Sequence, residues 1–193
     1  MENIEAEVRS FVTEEQYARL LDFFRKNSEP VKEDYQETYY FDAPIDLRIQ
    51  RNRKGAKLWT KGGRIHADSR EETEVWFGRE EFGKLETLLN SLGFPTSVKW
   101  FRQRKQFDWN GIKVCLDDTK GYGRIIELEK MCIPELANQT VEMLKKKMLE
   151  LDISLTSKEE FDRKFEHYKK NWKTLTSSSG PLFRTGESRN RVR

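Results

Sequence analysis

The sequence predicts an α+β domain: an eight-stranded antiparallel β-barrel with amphipathic helices packed on its outside. Three observations carry this. Eight short runs alternate apolar and polar residues with the period of two that a half-buried strand requires. Short turns join neighbouring runs, among them Asn110-Gly111, whose left-handed geometry suits a two-residue hairpin. Four stretches carry the 3.6-residue apolar spacing of helices, too few to alternate with eight strands, so the sheet is antiparallel and closure removes its edges.

The strand-like runs lie at about 4–11, 36–42, 46–53, 56–62, 69–77, 99–109, 112–118 and 123–130. The first helix follows Thr13-Glu14-Glu15-Gln16, a capping box with a hydroxyl at the N-cap and Gln three residues on. Its stripe is Tyr17, Leu20, Leu21 and Phe24, and Asn27-Ser28-Glu29-Pro30 ends it. A second helix runs from about Arg79, with Phe82, Leu85, Leu89 and Leu92 on one face and Gly93 just past its end. A third begins near Pro134, a good first helical position, and carries Val141, Leu144, Met148 and Leu151. A fourth follows Ser157-Lys158-Glu159-Glu160, a second capping box, with Phe161, Phe165, Tyr168 and Trp172 on one side. From Thr174 the chain turns Ser-, Gly- and Arg-rich. This divides it into a domain over 1–173 and a disordered basic tail over 174–193.

Composition excludes several classes of function. Of the 193 residues, 36% are charged, well above the quarter or so of an ordinary globular domain. Lys and Arg (36) nearly balance Asp and Glu (33), so a net charge of +3 argues against electrostatic capture of nucleic acid or membrane as the main activity. No apolar run is long enough to cross a membrane, and no signal-peptide pattern opens the chain. Cys115 and Cys132 lack metal-ligand company in the sequence and need not pair, so a reducing cytoplasm is the expected compartment. His66 and His167 stand alone, which leaves no basis for a histidine zinc site.

The polar faces of the strands are unusual. Alternation puts Glu5, Glu7 and Arg9 on one face of the first strand and Glu127 and Glu129 on one face of the last. Lys57, Trp59 and Lys61 share a face, as do Arg70, Glu72, Glu74 and Trp76, then Arg102 and Arg104, then Lys113, Cys115 and Asp117. Any one such strand is an ordinary solvated surface. Together they place acids two apart on the outer runs and bases on the runs between. Rolled with these faces inward, the sheet becomes a tunnel with an acidic and a basic side, and its apolar faces meet the helices. Carboxylates suit a hard divalent cation. Arg and Lys suit phosphate oxygens. A polyphosphate carrying Mg²⁺ presents both.

With these residues in place, the chain resembles the CYTH, or triphosphate tunnel metalloenzyme, family over about positions 4–170. Glu5-Ala6-Glu7-Val8-Arg9 is similar to the family's opening Glu-x-Glu-x-Lys. Tyr39-Tyr40-Phe41-Asp42 and Leu47-Arg48-Ile49 resemble its second and third strands, and Leu58-Trp59-Thr60-Lys61-Gly62 its Lys-Gly strand. Arg70-Glu71-Glu72-Thr73-Glu74 is similar to Arg-x-Glu-x-Glu, and Arg102-Gln103-Arg104 to the basic strand. Asp117, Gly121-Tyr122-Gly123 and Glu127-Leu128-Glu129 resemble the late aspartate, glycine turn and paired acids. The resemblance implies a tunnel open at both ends and an enzyme that cleaves or rearranges a small-molecule triphosphate with Mg²⁺ or Mn²⁺. It implies Glu5, Glu7, Glu74, Asp117, Glu127 and Glu129 as metal ligands. Arg9, Arg48, Lys61, Arg102 and Arg104 become the triphosphate-binding residues, and Glu5, Glu7, Arg9 and Lys61 the catalytic set.

Three positions depart from the family pattern. Arg9 replaces a Lys and cannot donate a proton near neutral pH, Gln50 stands where a second Arg often lies, and Arg124 sits beside the glycine turn. Two reactions stay open on the same charged residues: hydrolysis of inorganic, nucleoside or thiamine triphosphate, and conversion of ATP to cyclic AMP and pyrophosphate. A polyphosphate- or nucleotide-binding module without turnover is a third reading, disfavoured because anion binding alone needs no acids. An RNA 5′-triphosphatase is less favoured, since the net charge is low and no aromatic-basic platform is evident.

Overall fold

The computed structural model of the protein describes residues 4–61 and 72–177, with backbone only at Lys61 and Glu72. The strands are β1 (Ile4–Val12), β2 (Glu29–Phe41), β3 (Asp46–Arg51), β4 (Ala56–Lys61), β5 (Glu72–Phe77), β6 (Thr96–Trp109), β7 (Ile112–Thr119) and β8 (Gly123–Cys132). The helices are α1 (Glu14–Asn27), α2 (Phe82–Ser91), α3 (Ala137–Glu150) and α4 (Lys158–Ser177). The eight strands form one antiparallel sheet in the order β1-β8-β7-β6-β2-β3-β4-β5, curled around a cavity. Among the described residues, β1 and β5 share no ladder, so the tunnel wall is not closed by hydrogen bonds at that seam.

Local chemistry explains the element ends. The Thr13 capping box forms in both directions, Gln16 N–H donating to Thr13 Oγ1 (3.2 Å) and Thr13 N–H to Gln16 Oε1 (2.9 Å). Asn110 and Gly111 both have positive φ, as a type I′ hairpin demands. Asn52 Oδ1 accepts from the Lys54 and Gly55 amides and shapes the β3–β4 turn. Pro134 opens a 3₁₀ turn rather than α3 itself, which starts three residues later. The strand expected at 36–42 is much longer. Its beginning includes Glu29-Pro30, expected to end the first helix, and the run from Glu29 pairs with β6, with a register shift between Pro30 and Lys32, where proline has no N–H to offer the ladder. The tail expected from Thr174 is helical through Ser177, and 178–193 lies outside the described residues, as do His66 and Arg70.

The apolar faces of the strands point away from the cavity and form two cores. One joins Ala6, Val8, Val114, Leu116, Ile126 and Leu128 to Leu20 and Phe24 of α1 and to Leu144 and Met148 of α3. The other joins Tyr39, Phe41, Leu47, Ile49 and Ala56 to Phe82 and Leu89 of α2. Burying both cores on the outside is what frees the inner face for charge. The fourth helix differs. Tyr168 Oη donates to the Lys99 carbonyl (2.7 Å) and Trp172 Nε1 to that of Ser97 (2.9 Å), docking α4 on β6 at one end of the tunnel. Ser10 and Phe11 hold the preceding segment through Ser154 O and Thr156 Oγ1. Phe161 and Phe165 of α4 then line the cavity itself. Gly121 (φ +73°) lets the β7–β8 turn approach α4, for a Cβ there would lie 2.7 Å from Leu175 Cβ.

Candidate active site

The cavity holds about 480 Å³, within the range of small-molecule sites. Its walls follow the strand alternation. The β1 strand contributes Glu5, Glu7 and Arg9, and β8 contributes Glu127 and Glu129. Further lining comes from Arg48 of β3, Lys57 and Trp59 of β4, and Arg102 and Arg104 of β6. The β7 wall supplies Lys113 and Asp117. At the α4 end the lining turns aromatic, with Tyr40, Trp100, Tyr122, Phe161 and Phe165.

Register brings the acids of the two terminal strands together. Arg9 lies opposite Glu127 and Glu7 opposite Glu129 in β1–β8, and Glu129 lies opposite Lys113 in β7–β8. Burial, then the Glu127 carboxylate, pushes the Glu7 carboxyl up to about 7, against the pull of Arg9. Glu7 nevertheless keeps 41% of its side-chain surface, because it lines the open cavity, and among the described residues its ion-pair partner is Arg9, 4.0 Å away. Glu129 is buried. Its Oε2 makes no directional hydrogen bond and is held by the Lys113 ammonium.

Most of the basic residues are already engaged. Arg104 Nε and Nη2 donate to the two oxygens of Asp117 (2.8 and 2.6 Å), and Nη2 also reaches Glu127. Burial works against the Arg104 charge, yet Glu127 and Asp117 outweigh it and hold the guanidinium protonated well above its usual range. Arg102 donates to Asp117 (3.0 Å) and, twice, to Gln36 Oε1. Arg48 makes a bidentate pair with Asp46 (2.7 and 2.5 Å) and lies over the Tyr40 ring. Arg9 stacks on Phe161 at 4.6 Å.

Several expected residues take other places. Glu74 is exposed on β5 and accepts from Lys57 (2.6 Å) and Trp76 Nε1 (2.8 Å), apart from the Glu127–Glu129 pair. Lys61 is placed as backbone only, opposite Asp46 in β3–β4. Arg124 points out of the cavity to Asp118 and Glu14, beside the Tyr17 ring. Gln50 bonds Thr38 rather than leaving an open position. Cys115, read as lacking ligand company, lies with its Sγ and the carboxylates of Glu127 and Glu129 within 4.8 Å of one another. Burial raises its thiol to about 12, so it stays protonated beside Glu129 Oε1 (3.8 Å). Sequence reasoning overlooked Lys113, Lys57 and Asp46 as site residues. For the two lysines the signal was present, since they share strand faces with Asp117 and with Trp59 and Lys61.

The donor set tests well against a hard divalent cation. Glu7, Glu127 and Glu129 offer carboxylate oxygens on adjacent strands, and Glu7 is desolvated and crowded by like charge. In the metal-free protein this crowding costs stability. The folded Glu7 holds its proton up to about 7, against 4.5 for a free glutamate, so stability falls as pH rises through that interval and stays low above it. Water in the cavity keeps the slope shallow. Urea midpoints measured in chelator at pH 5 and pH 8 should differ in the wild type, and Glu7→Gln should narrow the gap.

A curled antiparallel sheet whose inner face sets Glu5, Glu7, Glu127 and Glu129 among Arg48, Arg102 and Arg104 defines the class of fold and site. The chain belongs to the CYTH family: the CYTH domain model matches residues 3–165. Solved structures agree on the fold. A conserved hypothetical protein from Pyrococcus furiosus is 25% identical, with a TM-score of 0.62 over 78% of this chain and 91% of its own. A putative adenylate cyclase from Vibrio parahaemolyticus is 17% identical, with a TM-score of 0.60 over 83% of this chain and 98% of its own. A Hippeastrum protein described as a putative adenylyl cyclase with a dominant triphosphatase activity is also 17% identical, with a TM-score of 0.61 over 84% and 95%. No curated protein matches the chain. Among the described residues, no helix is long and apolar enough to cross a membrane.

Proposed function

We propose that this protein is a divalent-metal-dependent enzyme that hydrolyses a triphosphate. The observation that supports it most is the cavity lining, where Glu7, Glu127 and Glu129 share one chamber with Arg48, Arg102 and Arg104. Anion capture alone needs no carboxylates, and metal capture alone needs no guanidinium groups. Glu7 and Glu127 would hold the cation, Mg²⁺ or Mn²⁺ by the hardness of the donors, with Glu129, Glu5 and Asp117 flanking. When bound, the metal supplies charge neutralisation at the phosphate oxygens and a more acidic water.

The chain's own groups do the rest. Arg102, Arg104 and Arg48 are planar bidentate donors matched to phosphate oxygens. Their present carboxylate partners keep them oriented and charged, and the phosphates compete for the same N–H groups. Arg9, fixed over Phe161, contributes charge without a transferable proton. Its role is to neutralise charge on the transferred phosphoryl group rather than to act as a general acid.

The aromatic end of the cavity supports a second reading. Trp100, Tyr122 and Phe165 offer ring faces to a base, which suits an adenylyl cyclase acting on ATP as well as a hydrolase of an organic triphosphate. The Hippeastrum relative's description joins the two activities. Incubation with Mg²⁺ or Mn²⁺ and, separately, tripolyphosphate, ATP, thiamine triphosphate or 5′-triphosphate RNA distinguishes them. The expected product is orthophosphate. Cyclic AMP with pyrophosphate from ATP would establish the cyclase reading instead. Tight binding with no product from any of them would leave a binding module.

A further inference from the structure

Lys113 occupies an unusual position. Its Nζ lies 3.5 Å from Glu5 Oε2 and in direct contact with Glu129 Oε2, so one ammonium bridges a carboxylate of β1 and a carboxylate of β8. These are two of the acids that the sequence marks as metal ligands. The bridge is built by register: Lys113 lies directly opposite Glu129, and Glu5 is two residues from Glu7, which pairs with Glu129 on the other side. Glu129 is nearly inaccessible, with 6% of its side chain exposed, and Lys113 is its one ion-pair partner among the described residues. A divalent ion on the same two oxygens would sit against the ammonium, and like charges at that distance repel strongly. Glu7 is in the opposite condition: among the described residues its one ion-pair partner is Arg9, at 4.0 Å.

We propose that the Lys113 ammonium serves as a built-in cation between Glu5 and Glu129, so that the protein takes up one divalent ion with its triphosphate, at the Glu7–Glu127 part of the site, rather than two. The proposal rests on the reading of the cavity as a metal and triphosphate site. Lys113 is thereby a specificity-determining residue: it sets the metal count and contributes positive charge that survives chelation.

Mn²⁺ titration followed by electron paramagnetic resonance, which reads free Mn²⁺, tests this with the full chain saturated by a non-hydrolysable imido-triphosphate. The expected stoichiometry is one ion for the wild type and two for Lys113→Gln, which keeps a hydrogen-bond donor and removes the charge. Lys113→Arg should retain a stoichiometry of one. Two ions in the wild type, or one in both the wild type and a folded Lys113→Gln, overturn the proposal while leaving the metal-site reading standing. No bound Mn²⁺ in the wild type overturns both. If Lys113→Gln fails to fold, the wild-type count alone decides between one ion and two.

Discussion

Glu7→Gln should lower metal-dependent turnover about 10²- to 10³-fold, the usual cost of removing one charge-stabilising group from a reaction centre, and should leave the fold intact or firmer. The two effects have one origin. Glu7 is crowded by Glu127, Glu129 and Glu5, which raise its pKa together with burial. That crowding is an electrostatic burden on the empty protein and an asset once a cation arrives. The amide is close in size, keeps one oxygen and carries no charge, so it relieves the burden and removes the asset. Phosphate release in the presence of Mg²⁺ and thermal unfolding in chelator, both at pH 8, read the two sides separately. Full activity in the variant would remove Glu7 from the site. A large loss of thermal stability would show that its charge is structural.

Arg104→Met should have the largest effect on stability, about 3–5 kcal/mol, the cost of leaving buried charges without their partner. In a chain of this length that corresponds to a fall in Tm of about 2–4 °C per kcal/mol. Asp117 has 2% of its side chain exposed and Glu127 11%, and both are bound to the same guanidinium. Removing it leaves two acids facing each other with Arg102 as the remaining neighbour of Asp117. Urea denaturation checks the magnitude, and adding Asp117→Asn to the variant should restore part of the loss. A cost below about 1 kcal/mol, as for an exposed pair, would mean that water already screens this network.

The two experiments separate kinds of charge that look alike along the chain. Glu7 and Asp117 are both acids on alternating strands. One is poorly compensated and half exposed, the other buried in a fork of arginines. Nothing in the spacing of either residue tells them apart. The same holds for Glu74, which shares its strand pattern with Glu5 and Glu7 yet binds Lys57 and Trp76 on the outermost strand.

The sequence by itself determined the strands, their inward and outward faces and the acid pairs on the first and last strands of the chain. Side-chain alternation is a local property of extended backbone, and the amphipathic helices show which strand face must be covered. It also marked Glu5, Glu7, Glu127 and Glu129 as a set, through their spacing and their resemblance to one family. Only the tertiary structure decided which charge meets which. Lys113 between Glu5 and Glu129, Arg104 between Asp117 and Glu127, Arg124 turned outward to Asp118, and α4 laying Phe161 over Arg9 all depend on register and on how the sheet curls. Those pairings join residues far apart along the chain. They follow from strand order and register in the assembled sheet, which no local pattern encodes.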